Sequence, residues 1–339
     1  MEDRLRALIA PFAVHGGRSD LAPAQFGGED WLDLSTGISP WPYPFALPAE
    51  ALTRLPSPDD LALLEARAAA CFGSDPADTV AVPGSDIGLR LIGHLLASAR
   101  AAAVVPGYRG HVAMWPGKVQ PISSTPPELT AAAKKSDAIV LARPGNPGGE
   151  VVPEDLLRAL AEQLAKRGGW LIVDEAFADA DPALSLAGRD WPNLIILRSF
   201  GKFAGLAGLR LGFVIAPQEI IPRLRALLGD WPIAGPALAA GLAFYADTAW
   251  HAEQRRRLKR DGDALATVLQ SAGLAITAST PFFRTCQIDG AWDLFKHLSC
   301  RAILIRPFAD DPRRLRIGLP ADDSALKRLA EALADWSPS

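Results

Sequence analysis

Short uninterrupted apolar runs alternate along the first two thirds of the chain with segments in which apolar residues recur every three to four positions. The runs read as strands at Thr79 to Val82, Ala102 to Val105, Ala138 to Ala142, Trp170 to Val173, Asn193 to Leu197 and Leu211 to Ile215. The longer spacing predicts helices over Asp59 to Phe72, stopped by Gly73, over Ile87 to Ala97, and over Pro153 to Lys166 with Gly168 just beyond. Apolar strands alternating with helices imply a mostly parallel sheet covered on both faces, an α/β fold. In such sheets ligands sit outside the carboxyl ends of the strands. Tyr108, Asn146, Asp174, Ser199 and Lys202 all follow such an end.

Past Asp230 the pattern changes. Trp231-Pro232-Ile233-Ala234-Gly235-Pro236 reads as a hinge-like linker, followed by helices over Ala237 to Asp247 and Thr248 to Ser271. Short strands then alternate with helices, and a last helix lies near Asp323 to Trp336. Ahead of the first helix, Trp31-Leu32-Asp33-Leu34 is a candidate strand, and Ser39-Pro40-Trp41-Pro42-Tyr43-Pro44 is too rich in proline for regular helix. The expected organisation is an N-terminal arm (1–48), a large domain (49–229) and a smaller α/β domain (230–339) that the arm completes.

Composition narrows the class. The chain has 339 residues, 49% of them hydrophobic, and a net charge of −3, enough for a sizeable core and without the basic footprint of a nucleic-acid binder. Its densest basic run, Arg255-Arg256-Arg257-Leu258-Lys259-Arg260, falls in a helical pattern and reads as a solvated face. The three cysteines, Cys71, Cys286 and Cys300, lack metal spacing and read as reduced packing residues. The five histidines, at 15, 94, 111, 251 and 297, form no cluster, and His94, His251 and His297 read as structural or surface groups. There is no leader pattern and no apolar run of membrane-spanning length, so a soluble cytoplasmic protein is expected.

The candidate chemistry gathers between Arg198 and Pro217, where Lys202 and Arg210 lie among glycines between two core strands. A lysine at the end of a buried strand is open to desolvation, which lowers an amine's pKa and makes it a nucleophile. Asp174 ends the apolar run Leu171-Ile172-Val173, where a carboxylate needs a partner. Pro83-Gly84-Ser85-Asp86 turns into a helix; its free N–H groups form an anion site, with Ser85 or Asp86 as an ordinary N-cap the competing reading. Ser199 and Arg210 can share an anion with that turn, and Tyr108 offers a flat face for stacking. A nucleophilic lysine, an acid for a ring nitrogen, a phosphate cup and an aromatic platform are what a pyridoxal phosphate enzyme requires. G-x-x-x-x-G-K-[ST], H-E-x-x-H and G-x-S-x-G are absent, and Gly205, Gly208 and Gly212 do not open a helix as a dinucleotide fingerprint would.

Pro144-Gly145-Asn146-Pro147, Asp174-Glu175-Ala176-Phe177, Ser199-Phe200-Gly201-Lys202 and Gly208-Leu209-Arg210-Leu211-Gly212, in that order, resemble the fold-type I aminotransferase family of pyridoxal phosphate enzymes. Within it, His15-Gly16-Gly17 and Asp33-Leu34-Ser35-Thr36-Gly37 resemble the threonine-phosphate decarboxylases of cobalamin biosynthesis more than the histidinol-phosphate aminotransferases. The resemblance implies a homodimer acting on a small phosphorylated amino acid, with decarboxylation of L-threonine O-3-phosphate to aminopropanol phosphate as the leading activity. The alternative is a histidinol-phosphate-type aminotransferase; a degenerate, non-catalytic member is disfavoured by the intact motifs.

The family roles carry over residue by residue. Lys202 would bind the cofactor as an imine, Asp174 would pair with the pyridine nitrogen, Asn146 would hydrogen-bond the phenolic oxygen, and Tyr108 would stack on the ring. Gly84, Ser85, Ser199 and Arg210 would hold the cofactor phosphate. Arg316 would bind the substrate carboxylate, with His15, Gly16, Thr36 and Asn146 as further substrate contacts. Two positions depart from the family. Leu55 stands where many relatives have a tyrosine donated to the neighbouring subunit, and Phe177 stands where aminotransferases often have tyrosine.

Overall fold

A computed structural model of the chain describes residues 2–97 and 99–336. It divides into two compact units, one of residues 42–253 and one of residues up to Trp41 together with those from Gln254 onward. The boundary therefore falls inside the helix Thr248–Ser271 and not at the proline-rich segment near 230. That segment was read as a hinge because of its prolines, but Pro236 lies in the first turn of the helix Gly235–Ala246, where proline is tolerated. This helix stays with the larger unit: Arg67 Nη1 donates to the Leu242 carbonyl at 2.8 Å and the Cys71 thiol to that of Tyr245 at 3.4 Å.

The larger unit is built on seven strands, numbered here within it: β1 (Thr79–Val82), β2 (Ala101–Val104), β3 (Val119–Ile122), β4 (Ala138–Ala142), β5 (Trp170–Asp174), β6 (Leu194–Ser199) and β7 (Gly212–Ile215). Their order across the sheet is β1-β7-β6-β5-β4-β2-β3, with β7 antiparallel to both neighbours and every other pairing parallel. β1, β2, β6 and β7 are buried at every position, as expected of a sheet covered on both faces. Relevant helices are α1 (Pro58–Phe72), capped by the Ser57 hydroxyl and ended by Gly73, then α2 (Ser85–Leu95), α3 (Arg109–Ala113) and α4 (Phe200–Phe203). Strand ends move by one or two residues from expectation, so that Asp174 and Ser199 are the last strand residues. β3 and α3 were not expected. β3 reads Val-Gln-Pro-Ile, its middle is exposed, and it lies at the sheet edge, where a proline breaks no ladder.

The smaller unit holds a four-stranded antiparallel sheet ordered Arg306–Pro307, Arg314–Gly318, Phe283–Gln287, Ala275–Thr280. Leu32–Asp33 pairs in parallel with Ile303–Leu304, so the N-terminal segment completes this unit as expected. That segment also contains a helix, Glu2–Ala13, beyond the strand and proline-rich stretch expected of it. It holds by burying Ile9 and Phe12, with the Phe12 ring 5.8 Å from Phe26 and 5.5 Å from Phe295. The cysteines do not all pack: Cys286 is buried, Cys71 partly so, and Cys300 is exposed. The basic run is not a purely solvated face, because Arg257 stacks 3.9 Å from the Trp41 ring. Among the described residues no helix is long and apolar enough to cross a membrane.

Candidate active site

The eight expected cofactor residues all belong to the larger unit and cluster at the carboxyl edge of its sheet. Register does most of the gathering. Asp174 ends β5 opposite Ala142 of β4 on one side and Leu197 of β6 on the other. Ser199 ends β6 opposite Gly212, which in turn faces Val82 at the end of β1. Gly212 is where space matters: a Cβ there would lie 2.4 Å from the Ser85 amide nitrogen, so its bareness brings the start of α2 against the β6 terminus.

Gly84 is the N-cap of α2, at φ +90°, and no side chain caps the helix; neither Ser85 nor Asp86 plays the N-cap role considered for them. The first amides of an uncapped helix start point at an anion favoured by the helix dipole. The Arg210 guanidinium lies over the same turn, since a Cβ on Gly84 would meet its Nη2 at 2.6 Å. Arg210 itself takes a left-handed backbone (φ +55°) and steadies Nη1 on the Ala207 carbonyl at 3.3 Å. The α2 amides, Ser199 and the Arg210 guanidinium thus come together around Gly84 and Gly212, an arrangement that suits an anion.

Lys202 sits on α4, a single helical turn, and its neighbours explain how so short an element is held. Phe200 and Phe203 flank it in sequence and are buried, their rings 5.0 and 6.2 Å from Phe244. This aromatic cluster also takes in Tyr245, Trp250 and His251, so His251 is a packing group, as expected.

The carboxylate of Asp174 is fixed by two donors: the Ala176 amide reaches Oδ1 at 3.0 Å, and His111 Nε2 reaches Oδ2 at 3.0 Å. His111 is only 1% exposed, and its other ring nitrogen, Nδ1, has no hydrogen-bond partner among the described residues. Sequence reasoning assigned His111 no role. Its one available signal was its place three residues after Tyr108, one turn along what proves to be α3. The two rings meet edge to face at 5.6 Å. Tyr108 keeps an exposed face, and its hydroxyl donates to Asp86 Oδ1 at 2.8 Å. Burial first, and then that hydrogen bond, hold its phenol well above the ordinary value, so it is a neutral donor. Asn146 follows β4 and lines a small cavity together with His111. Its loop is braced by Arg143, which donates Nε to the Val152 carbonyl at 3.0 Å and Nη1 to that of Leu184.

Beneath the site runs a buried ionic network. Glu175, fully buried, accepts from the Ser185 hydroxyl at 2.7 Å, the Leu186 amide at 2.6 Å and Arg198 Nη1 at 2.8 Å. Arg198, 2% exposed, also pairs with Asp179. Burial opposes the guanidinium's charge, but Asp179 and Glu175 more than offset it and hold its pKa above the ordinary value. The network ties the residue after Asp174 to the residue before Ser199.

The expected substrate residues His15, Gly16, Thr36 and Arg316 lie in the smaller unit and form their own group. The Gly17 amide donates to the Ser35 hydroxyl at 2.8 Å, and a Cβ on Gly16 would meet the Ser35 carbonyl oxygen at 2.2 Å. That carbonyl accepts from Arg316 Nη2 at 2.8 Å, and the Gly17 position meets Thr36. His15 is exposed beside them. Arg316, 3% exposed, is paired in register with Arg306, a residue the sequence reading passed over. Burial, and then the like charge of Arg306, hold the Arg316 guanidinium well below its ordinary value. Arg306 Nε is buried with no hydrogen-bond partner among the described residues. A buried guanidinium beside a partly buried one is an arrangement that an anion relieves. Among the described residues no cluster of His, Cys, Asp or Glu is placed to hold a metal ion.

Such a sheet, with a lysine, a supported aspartate and a phosphate cup at its carboxyl edge, defines a fold-type I transferase architecture. The chain belongs to the aminotransferase class I and II family, whose model matches residues 51–333. Among curated proteins it is 36% identical to the threonine-phosphate decarboxylase of Pseudomonas aeruginosa, over 94% of this chain and 96% of that protein. It is 37% identical to the threonine-phosphate decarboxylase of a Sinorhizobium species, over 95% of this chain and 97% of that protein. Among solved structures it shares the fold of the histidinol-phosphate aminotransferase from Sinorhizobium meliloti in complex with pyridoxal-5'-phosphate. That match has a TM-score of 0.80 at 24% identity and covers 93% of each chain.

Proposed function

We infer that this chain is a pyridoxal-phosphate-dependent carboxy-lyase that converts L-threonine O-3-phosphate to (R)-1-aminopropan-2-yl phosphate and CO₂, a step of cobalamin biosynthesis. The substrate rests on the likeness to two threonine-phosphate decarboxylases over almost the whole chain. The observation that carries the cofactor chemistry is Asp174, held by a buried histidine at the strand end next to the one that leads into Lys202. The donor set fits the cofactor: the hollow under Arg210 that a Cβ on Gly84 would fill suits its phosphate, and Asp174 suits a protonated ring nitrogen.

When bound, the cofactor supplies a protonated pyridine ring that accepts the electron pair left when a bond at the substrate's α-carbon breaks. Asp174 keeps the proton on that nitrogen, and His111 keeps Asp174 in place. Tyr108 would cover the ring, Asn146 would donate to its phenolic oxygen, and Gly84, Ser85, Ser199 and Arg210 would hold the phosphate. Lys202 would anchor the cofactor and would return a proton to the substrate's α-carbon in place of the lost carboxylate. In the smaller unit Arg316 takes the substrate carboxylate, Arg306 adds a second positive group for a substrate that carries two anions, and His15, Gly16 and Thr36 complete the contacts.

A homodimer is part of the proposal. Leu52, Leu55 and Trp231 of the larger unit are 68%, 69% and 55% exposed, a cost that a second subunit would remove. Sedimentation of the purified protein tests this; a monomer at micromolar concentration refutes it. The activity is tested by incubating reconstituted enzyme with threonine phosphate and no keto-acid acceptor. CO₂ release at a steady rate is expected. Turnover that depends on a keto acid would make the protein an aminotransferase instead.

A further inference from the structure

Asp86 occupies the second position of α2, where an acid is ordinarily explained by the helix dipole. Its two oxygens are otherwise engaged. Oδ2 accepts from Arg90 Nε at 3.1 Å, one turn along the same helix, and Oδ1 accepts from the Tyr108 hydroxyl at 2.8 Å. Tyr108 stands 22 residues away on another element, so this second contact is tertiary. The ring is bracketed on its other sides as well. A Cβ on Gly110 would lie 2.3 Å from Tyr108 Cε1 and 3.0 Å from Asp86 Oδ1, so only glycine leaves room for the pose and the hydrogen bond together. His111, which holds Asp174, meets the ring edge at 5.6 Å.

We propose that Asp86 is a positioning residue that sets the pose of the Tyr108 ring through its hydroxyl, completing a line of side chains from the start of α2 to the end of β5. The proposal rests on the reading above that Tyr108 stacks on the cofactor ring. Its sign is diagnostic. A carboxylate beside a phosphate cup disfavours the dianion, so on charge alone its removal tightens cofactor binding. If Asp86 acts by aiming Tyr108, its removal loosens binding.

The test is a double-mutant cycle on full-length protein titrated with pyridoxal phosphate, followed by visible absorbance and by circular dichroism of the bound-cofactor band. Asp86→Ala and Tyr108→Phe should each weaken cofactor affinity about fivefold, by loss of one charge-assisted hydrogen bond. The double variant should lose no more than the weaker of the two, and the dichroic band should shrink alike in all three. Asp86→Asn keeps an acceptor oxygen and should stay within about twofold of wild type, as should Arg90→Ala. Additive losses in the double variant, tighter binding by Asp86→Ala, or an equal loss in Arg90→Ala would each overturn the proposal. Tyr108→Ala separates it from its premise. If that variant binds as wild type does, the stacking role fails and the proposal with it; if it binds weakly while Asp86→Ala does not, only the positioning role fails.

Discussion

Replacing Gly84 by alanine perturbs the proposed phosphate cup in two separable ways. The residue sits at φ +90° and ψ 145°, a region that side-chain-bearing residues rarely enter. Holding alanine there costs about 1–3 kcal/mol of folding stability. The new Cβ would also lie 2.6 Å from Arg210 Nη2. Arg210 is exposed, so its end can swing away and the clash itself costs little stability. In the role proposed for Arg210, what the swing removes is a charged donor to the cofactor phosphate, worth about 1.5–3 kcal/mol, or roughly 10- to 150-fold in affinity. Gly84→Ala should therefore lower the stability of the cofactor-free protein in urea by about 1–3 kcal/mol and weaken pyridoxal phosphate binding by about 10-fold or more. In an Arg210→Ala background the stability loss should persist, because the backbone strain is unchanged. The affinity loss should nearly vanish, because the arginine is already gone. A Gly84→Ala protein as stable as wild type would refute the strain argument. An affinity loss of full size in the Arg210→Ala background would show that the arginine is not the route.

Three further outcomes follow from the geometry. Arg198→Met strands the fully buried Glu175 and its neighbour Asp179, and should cost about 3–5 kcal/mol in urea unfolding, the range for breaking a buried ion pair from one side. His111→Leu removes the Nε2 donor to Asp174 and should weaken cofactor binding or lower kcat about tenfold, with the fold intact by far-ultraviolet circular dichroism. Asp137 is held at about 2 chiefly by its hydrogen bond to Arg100, below its ordinary 3.8. Its contribution to stability is thus present above about pH 4 and lost as pH falls through about 2. Arg100→Gln should flatten the urea midpoint over that interval, and an unchanged slope would exclude the pair as the cause.

Local patterns were legible wherever the physics is local. The runs Ala138–Ala142 and 170–173 are continuous and apolar because both faces of a parallel strand are covered, and Gly73 ends α1 in the left-handed conformation that glycine accepts readily. What escaped depends on pairing. β3 carries a proline that argues against a strand until the strand is known to lie at the edge. The start of the helix Gly235–Ala246 was assigned to a hinge, because prolines mark a helix start as readily as a hinge. His111 and Arg306 belong to no motif; each acquires meaning only from a partner, Asp174 at a separation of 63 residues and Arg316 through strand register.

The pair Asp174-Glu175 shows where resemblance and physics meet. Two acids in succession at a strand end look interchangeable in a sequence, yet neighbouring positions of a strand face opposite sides of its sheet. Asp174 turns toward His111, and Glu175 turns the other way into Arg198 and Ser185. The same division recurs across the ladder in Arg198 and Ser199, one buried in the network and the other opposite Gly212 beside the proposed phosphate cup. Each pair therefore places one residue in the site and one in its support. The support is densely bonded: Glu175 has three donors and Arg198 two carboxylates, an arrangement that ties β5 to β6. A site that must hold Asp174 and Lys202 at a set separation gains its rigidity from the buried residues beside them, Glu175 and Arg198.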